Sequence, residues 1–196
     1  MSVVGSFGFS GGLVLLTDFI SSDEEEALLA AVYKEEWSHK LARRTQHYGY
    51  EYDYASHRLP RYIGALPEWS DTLVDRLVDN CVFAATARPN QMIVNEYTPG
   101  QGISAHTDSH VFASPIVSVS LGSPCIMKFS STPHQPSQTV DVLLPRRSAL
   151  IMDDEARWNM RHEIAARKSD NGVPRQTRVS LTFRIVPKQT AGKLGN

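Results

Sequence analysis

Residues 178–186 read RVSLTFRIV, and the alternation in that run decides what kind of structure it can enter. In an extended backbone successive side chains point to opposite faces. Arg178, Ser180, Thr182 and Arg184 therefore share one face, and Val179, Leu181 and Phe183 share the other. The apolar side must pack. The side with two arginines six positions apart faces either solvent or a polar cavity. Residues 91–97, QMIVNEY, divide in the same way, with Ile93, Asn95 and Tyr97 on one face and Met92, Val94 and Glu96 on the other. Outward from these, short β-rich runs recur at 116–121 (IVSVSL), 125–130 (CIMKFS), 139–144 (TVDVLL) and 148–152 (SALIM). Gly, Pro and polar residues separate them, and no helical pattern of convincing length intervenes after residue 90. Antiparallel strands need no helical crossover. The expected fold is mainly β: a jelly roll or similar double-sheet barrel with flanking N-terminal helices, in the α+β class.

The first half supplies those helices. Residues 12–20, GLVLLTDFI, predict a short buried strand. Ser21 and Ser22 precede Asp23-Glu24-Glu25-Glu26, a capping-box pattern with acids at the positive end of a helix dipole. A helix of about 15 residues, ending near Trp37, should follow. Residues 46–54, QHYGYEYDY, predict a strand or hairpin, and 67–80 a second helix carrying Leu73, Val74, Leu77 and Val78 at helical spacing.

Composition sets the outer limits. A chain of 196 residues suggests one domain, with a core over about 12–186 and a tail from 187. Apolar residues at 41% and charged residues at 21% argue against disorder. The net charge of −1 excludes a general polycation, although residues 1–39 hold seven acids against one lysine and 140–188 hold ten basic residues against six acids. Cys81 and Cys125 form neither a CxxC pair nor a zinc spacing, which excludes a disulfide scaffold and fits a reducing compartment. No apolar run reaches the roughly 20 residues of a membrane span, and the start is a poor signal peptide. The expectation is a soluble, intracellular monomer, cytoplasmic or, with no basic targeting run to decide it, nuclear.

The chemistry begins at residues 99–108, Pro-Gly-Gln-Gly-Ile-Ser-Ala-His-Thr-Asp. His106 and Asp108 stand two apart, so on an extended chain they point the same way, about 7 Å apart at Cα, as two cis metal ligands would. His162, in RWNMRHEI, offers a third ligand. By counting alone His39, His47, His57, His110 and His134 are also available. Two imidazoles and a carboxylate on one face of an octahedron form the triad of non-haem Fe(II) oxygenases. Zinc hydrolases use similar ligand types. Arg178 favours the oxygenase, because a buried guanidinium requires an anion in fork geometry. The distal carboxylate of 2-oxoglutarate would provide one, with its other end and dioxygen filling the open iron positions.

NEYTPGQGISAHTD (95–108), followed by His162 and RVSLTFR (178–184), resembles the AlkB family of Fe(II)/2-oxoglutarate dioxygenases: Asn-x-Tyr, His-x-Asp, a distant His, then Arg-x5-Arg, in that order. The resemblance runs from about Gly12 to Val186. It implies a double-stranded β-helix, with Fe(II) as cofactor and 2-oxoglutarate and O2 as cosubstrates. It implies His106, Asp108 and His162 as iron ligands, with Arg178 on the distal carboxylate of 2-oxoglutarate and Asn95 and Tyr97 hydrogen-bonding that cosubstrate. Arg184 would hold Asp108 or the 1-carboxylate, and Ser180, between the two arginines, would touch cosubstrate or substrate. RRTQHYGYEYDY (43–54), HTDSH (106–110), VSVSLGS (117–123) and LPRRSALIM (144–152) are similar to the homologue-eight branch, which hydroxylates a modified wobble uridine in tRNA, and to stand-alone bacterial-type relatives.

The resemblance implies a nucleic-acid partner, RNA and especially tRNA, or single-stranded or alkylated DNA. An oxidised C–H bond either keeps its hydroxyl or, when the carbon is attached to nitrogen, leads to dealkylation. Tyr48, Tyr50, Tyr52 and Tyr54 with Arg43 and Arg44 are the expected lid, rings for stacking and cations for phosphates. Tyr50, Tyr52 and Tyr54 equally fit the cross-strand aromatics of a plain hairpin. Arg146, Arg147, Arg157, Arg161, Arg167 and Lys168 either track the backbone or serve the surface. His110, where repair members of the family place an acid, either lines the substrate mouth or is simply exposed. The competing readings are an oxygenase acting on protein or a small molecule, a catalytically silent binding fold, and a zinc hydrolase.

Overall fold

A computed structural model of the chain describes residues 2–4, 11–52, 61–132 and 137–187. In chain order its elements are β1 (Ser2–Val4), β2 (Leu13–Thr17), α1 (Ser22–Val32), β3 (Thr45–Tyr48), β4 (Tyr50–Glu51), β5 (Arg61–Tyr62), α2 (Asp71–Asp79), β6 (Gln91–Tyr97), β7 (Ile103–His106), β8 (Ala113–Gly122), β9 (Cys125–Ser131), β10 (Thr139–Leu144), β11 (Ala149–Met152), α3 (Asp154–Trp158), β12 (Met160–Ile164), β13 (Ser169–Asp170), β14 (Val173–Pro174) and β15 (Arg178–Ile185). Seven strands form one sheet in the order β1-β2-β11-β8-β15-β6-β3, and four form a second in the order β10-β9-β12-β7. All neighbours in both sheets pair antiparallel. This is the expected jelly roll.

Alternation divides the larger sheet between two cores. Val179, Leu181 and Phe183 of β15 join Met92, Val94, Val117, Val119 and Leu121 beneath α1 and α2, which contribute Leu28, Val32, Leu73, Val74 and Leu77. Leu181 and Phe183 are fully buried, each contributing about 1.5–3 kcal/mol. The other core lies between the sheets, where Leu13, Leu15, Ile116 and Leu150 meet Met127, Phe129, Val142 and Leu144. The arginine side of β15 faces this inter-sheet space, so of the two faces left open for it the solvent-facing one is excluded: Arg178 is 3% and Arg184 5% exposed.

The helices depart from expectation in length. Ser21 Oγ accepts from Glu24 N and Glu24 Oε2 accepts from Ser21 N, completing the capping box. Yet α1 stops at Val32, five residues before Trp37. The chain turns there because Ser38 pairs with Thr45 and Trp37 lies under the Arg44 guanidinium, 4.3 Å from its ring centroid. Glu25 of α1, fully buried, accepts from Gly122 N at 2.8 Å and from Arg146 Nε at 2.9 Å, fastening the helix to the end of β8. A short helix, α3, does follow residue 90, and β12 was not anticipated as a strand.

Candidate active site

Register builds the floor of the site. β15 lies between β6 and β8, with Arg178 opposite Tyr97 and Gly122, Ser180 opposite Asn95 and Ser120, and Thr182 opposite Ile93 and Ser118. Because the register is unbroken over this stretch, inward side chains of three strands form adjacent rows. Nearly all of them line a cavity of about 510 Å3, as do Arg184, His106, Asp108 and His162.

The histidines reach one another through a second pairing. β7 and β12 run antiparallel with His162 directly opposite His106. Opposed residues stand about 4.5–5.5 Å apart at Cβ, and the two imidazole centroids are 4.3 Å apart. Asp108 lies two residues beyond β7, with Oδ2 3.8 Å from His162 Nε2 and Oδ1 accepting from Arg184 Nη2 at 2.6 Å. Arg157, 2% exposed, donates to the carbonyls of Asp108, Ser109 and Phe112 at 3.0, 2.8 and 2.9 Å, which fixes the chain leaving the trio. Arg157 is thus neither a backbone-tracking cation nor a surface one, the two roles its sequence context leaves open: its buried guanidinium is the clamp of this turn.

Protonation suits the trio to a divalent cation. Burial alone would raise the Asp108 carboxyl, but the Arg184 guanidinium and the two imidazoles outweigh it and hold the group at about 2. Burial pushes His162 down to about 4 against the pull of Asp108. At neutral pH these are a carboxylate and a neutral imidazole, the forms that bind metal. His106 Nδ1 lies 2.8 Å from Ser104 O. A carbonyl only accepts, so Nδ1 is the donor, and in the neutral ring that tautomer leaves the Nε2 lone pair for a metal. The trio is convergent without being closed: among the described residues no three His, Cys, Asp or Glu side chains stand at full metal-ligand spacing.

At the other end of the floor, Arg178 Nη2 donates to Ser120 Oγ at 2.9 Å, while its Nε has no hydrogen-bond partner. No carboxylate pairs with this buried guanidinium among the described residues, so the cavity keeps a cation ready for an anionic ligand.

Three comparisons bear on this geometry. A model of the 2OG-Fe(II) oxygenase superfamily matches residues 30–184. The tRNA (carboxymethyluridine(34)-5-O)-methyltransferase ALKBH8 of Mus musculus is 36% identical over 173 residues, covering 81% of this chain and 25% of the mouse protein. The probable RNA/DNA demethylase ALKBH6 of Danio rerio is 30% identical over 207 residues, 88% of this chain and 85% of that one. The chain is an AlkB-family 2-oxoglutarate-dependent dioxygenase. The solved structure of OsALKBH1 superposes with a TM-score of 0.72 at 18% identity, covering 93% of this chain and 99% of the other, which places the AlkB fold.

An AlkB-family enzyme uses Fe(II) with 2-oxoglutarate and O2. The residues present fit those groups: His106, Asp108 and His162 supply the donor set for iron, with Asp108 and His162 in the protonation states it needs, and Arg178 supplies the orphaned cation for a carboxylate. The lining residue Ser118 and the wall residues Leu41 and Ala42 were not singled out from sequence, and Thr182 was placed on the polar face of its strand without a role. Ser118 could have been found, because it sits at an alternate position of the 116–121 strand run.

The expected lid is largely not assembled at this cavity. Of its described residues only Arg43 lines the cavity. Arg44 points to the opposite side of β6, where its Nε and Nη2 donate to Glu96 at 2.6 and 2.8 Å. Tyr48 packs edge-on against Trp69 and donates to Gln46 Oε1. Tyr52 is 5% exposed and packs on Phe112 in the inter-sheet core. Tyr50 pairs with Tyr62 across the small hairpin, at 5.2 Å. His110 is exposed and stacked on Trp158 at 5.4 Å, and does not line the cavity. The expectations for Tyr54, His57 and His134 fall outside the described residues. Of the expected basic track, Arg146 and Arg147 pair with Glu25 and Asp18, Arg161 donates to Ala105 O and Arg167 pairs with Asp170. Among the described residues no helix is long and apolar enough to cross a membrane.

Proposed function

We propose that this enzyme oxidises a C–H bond of a modified nucleobase in RNA, in the manner of a tRNA wobble-uridine hydroxylase. The reading is carried by the pairing of a converged His106, Asp108 and His162 with an anion-seeking Arg178 in one cavity, in a chain 36% identical to part of a tRNA-modifying protein. His106, Asp108 and His162 would hold Fe(II), and Arg178 the distal carboxylate of 2-oxoglutarate. Asn95, Tyr97 and Ser180 would hydrogen-bond the cosubstrate along the floor. With these groups bound, iron, 2-oxoglutarate and dioxygen supply the oxidising power and release succinate and CO2. The protein contributes geometry: Arg184 fixes the pitch of Asp108, and Ser104 fixes the tautomer of His106. A base must leave its stack to reach so recessed a site. The exposed Leu41 and Ala42 border the cavity on the side where it could enter.

Hydroxylation is preferred to N-dealkylation on one observation. Asp108 is the only carboxylate lining the cavity among the described residues, and it is engaged by Arg184. Among the described residues no second carboxylate stands in the cavity to read the amino group of a methylated adenine or cytosine. Dealkylation is the second reading, favoured by the likeness to the zebrafish demethylase. The deciding experiment is succinate release and product mass spectrometry with tRNA or short RNA carrying a carboxymethylated uridine, methylated single-stranded DNA, and peptides. A mass gain of one oxygen on the uridine supports hydroxylation, and aldehyde release from methylated strands supports dealkylation. Turnover with peptides alone would refute the nucleic-acid reading.

A further inference from the structure

Nine described arginines reach an Asp or Glu carboxylate. Arg157 and Arg161 reach backbone carbonyls. Among the described residues only Arg43 and Arg178 reach neither. Arg43 Nε donates to Asn95 Oδ1 at 2.8 Å and Arg178 Nη2 to Ser120 Oγ at 2.9 Å, both neutral acceptors. The two guanidinium carbons stand 5.8 and 5.6 Å from the centroid of one ring, Tyr97, and both arginines line the same cavity. With Nε held by Asn95, the two Nη groups of Arg43 make no hydrogen bond to a described residue. They are the free side of a planar fork that matches a carboxylate or phosphate.

Charge points the same way. Among the described residues the cavity lining carries three guanidiniums, Arg43, Arg178 and Arg184, against one carboxylate, Asp108. A ferrous ion and a 2-oxoglutarate dianion bring equal and opposite charge, so loading the enzyme leaves that excess standing. Arg184 is bound to Asp108, and Arg178 is buried at the cosubstrate end. Arg43 is half-buried and continues the segment that begins with the exposed Leu41 and Ala42.

We propose that Arg43 is a second oxyanion receptor of this cavity, taking an acidic group of the incoming substrate while Arg178 takes the cosubstrate. The inference rests on the nucleic-acid reading above and deepens it. The group is either a carboxylate on the modified base or a phosphate flanking it, and both present the same oxygens to the fork.

The test is fluorescence anisotropy without dioxygen, on enzyme loaded with Fe(II) and 2-oxoglutarate, comparing wild type, Arg43→Gln and Arg43→Lys. The probes are an RNA strand with a carboxymethylated uridine, the same strand as its neutral amide, and the amide strand with methylphosphonates flanking the target. Losing a charge-assisted pair should weaken binding of the acid strand to Arg43→Gln by about 10-fold or more. Arg43→Lys keeps the charge without the fork and should lose less. A loss confined to the acid strand assigns the base carboxylate. An equal loss on acid and amide strands, absent with methylphosphonates, assigns the phosphate. The affinity for 2-oxoglutarate, read by calorimetry on the same variants, should stay within about twofold of wild type. If both variants bind every strand as wild type does, or if 2-oxoglutarate affinity is what falls, Arg43 is not this receptor. A wild type that binds no strand overturns the nucleic-acid reading itself.

Discussion

The floor of the cavity and the aromatic segment beside it are built from strands of similar texture, yet one keeps its alternation and the other loses it. On β15 the inward row Arg178, Ser180, Thr182 and Arg184 holds its face for seven residues because β6 pairs with it in register throughout and β8 does so as far as Phe183. In 45–52 the tyrosines at 48, 50 and 52 have the same two-residue spacing, but among the described residues β6 is the only strand that holds β3. Gly49 then breaks the run. Its φ of +74° suits glycine, and a Cβ there would come within 1.9 Å of Asn90 O. Tyr48 therefore stays with Trp69, Tyr50 leaves for a separate hairpin, and Tyr52 returns into the core. A period-2 pattern names a face only where pairing persists on both sides.

The largest effect expected from this contrast is at Asp108. Asp108→Ala removes the carboxylate of the trio and should lower succinate formation by about 10^3-fold or more, as for loss of a group the chemistry requires. Tyr50→Ala should leave uncoupled 2-oxoglutarate turnover unchanged. Substrate-free turnover of both variants gives the comparison, and residual wild-type turnover in Asp108→Ala would remove that residue from the metal set.

The next effect is on stability. His162 is held near 4 in the folded protein against 6.5 as an ordinary imidazole. Between those pH values the unfolded chain binds the proton and the folded chain does not, so stability falls as pH drops from 6.5 to 4. The shift corresponds to about 3 kcal/mol. Asp108, held at about 2, extends the loss below pH 4. Urea unfolding of the metal-free protein at pH 7, 5.5 and 4 should show this slope. His162→Gln should flatten it above pH 4, and an unchanged slope in that variant would put the acid sensitivity elsewhere.

Arg178 comes third. Its removal takes away the cation for the distal carboxylate, so Arg178→Met should raise the KM for 2-oxoglutarate by about 30- to 100-fold, the worth of one charged hydrogen-bonded contact. kcat at saturating cosubstrate should change less. An unchanged KM would mean that 2-oxoglutarate lies elsewhere.

What could be read from the chain follows the same physical line. Asn95, Tyr97, Arg178, Ser180 and Arg184 share a cavity because each face follows from position within one strand run. His106 and Asp108 are close because they are two residues apart. His162 was different: six other histidines include several with equal claim by count, and only the pairing of β12 with β7, across more than fifty residues, sets it opposite His106. Residue spacing does not encode a long-range register, and family resemblance supplied that ligand. Arg43 and Arg44 are the sharpest case. They are adjacent and chemically identical, and their roles diverge because they meet Asn95 and Glu96, adjacent residues on opposite faces of β6.

The smallest effect tests whether Tyr48 is turned away from substrate. Its ring packs edge-on against Trp69, its hydroxyl donates to Gln46 Oε1 at 3.1 Å, and burial pushes its phenol up to about 12. Tyr48→Phe keeps the ring and deletes the donor, leaving a buried amide oxygen short of one hydrogen bond. That should cost about 1 kcal/mol of unfolding free energy. It should leave RNA affinity and 2-oxoglutarate turnover at wild-type values, because the ring never faces the cavity. A variant with intact stability and tenfold weaker RNA binding would reverse this placement. It would mean that β3 presents Tyr48 to the substrate after all, and that one-sided pairing suffices to hold a face.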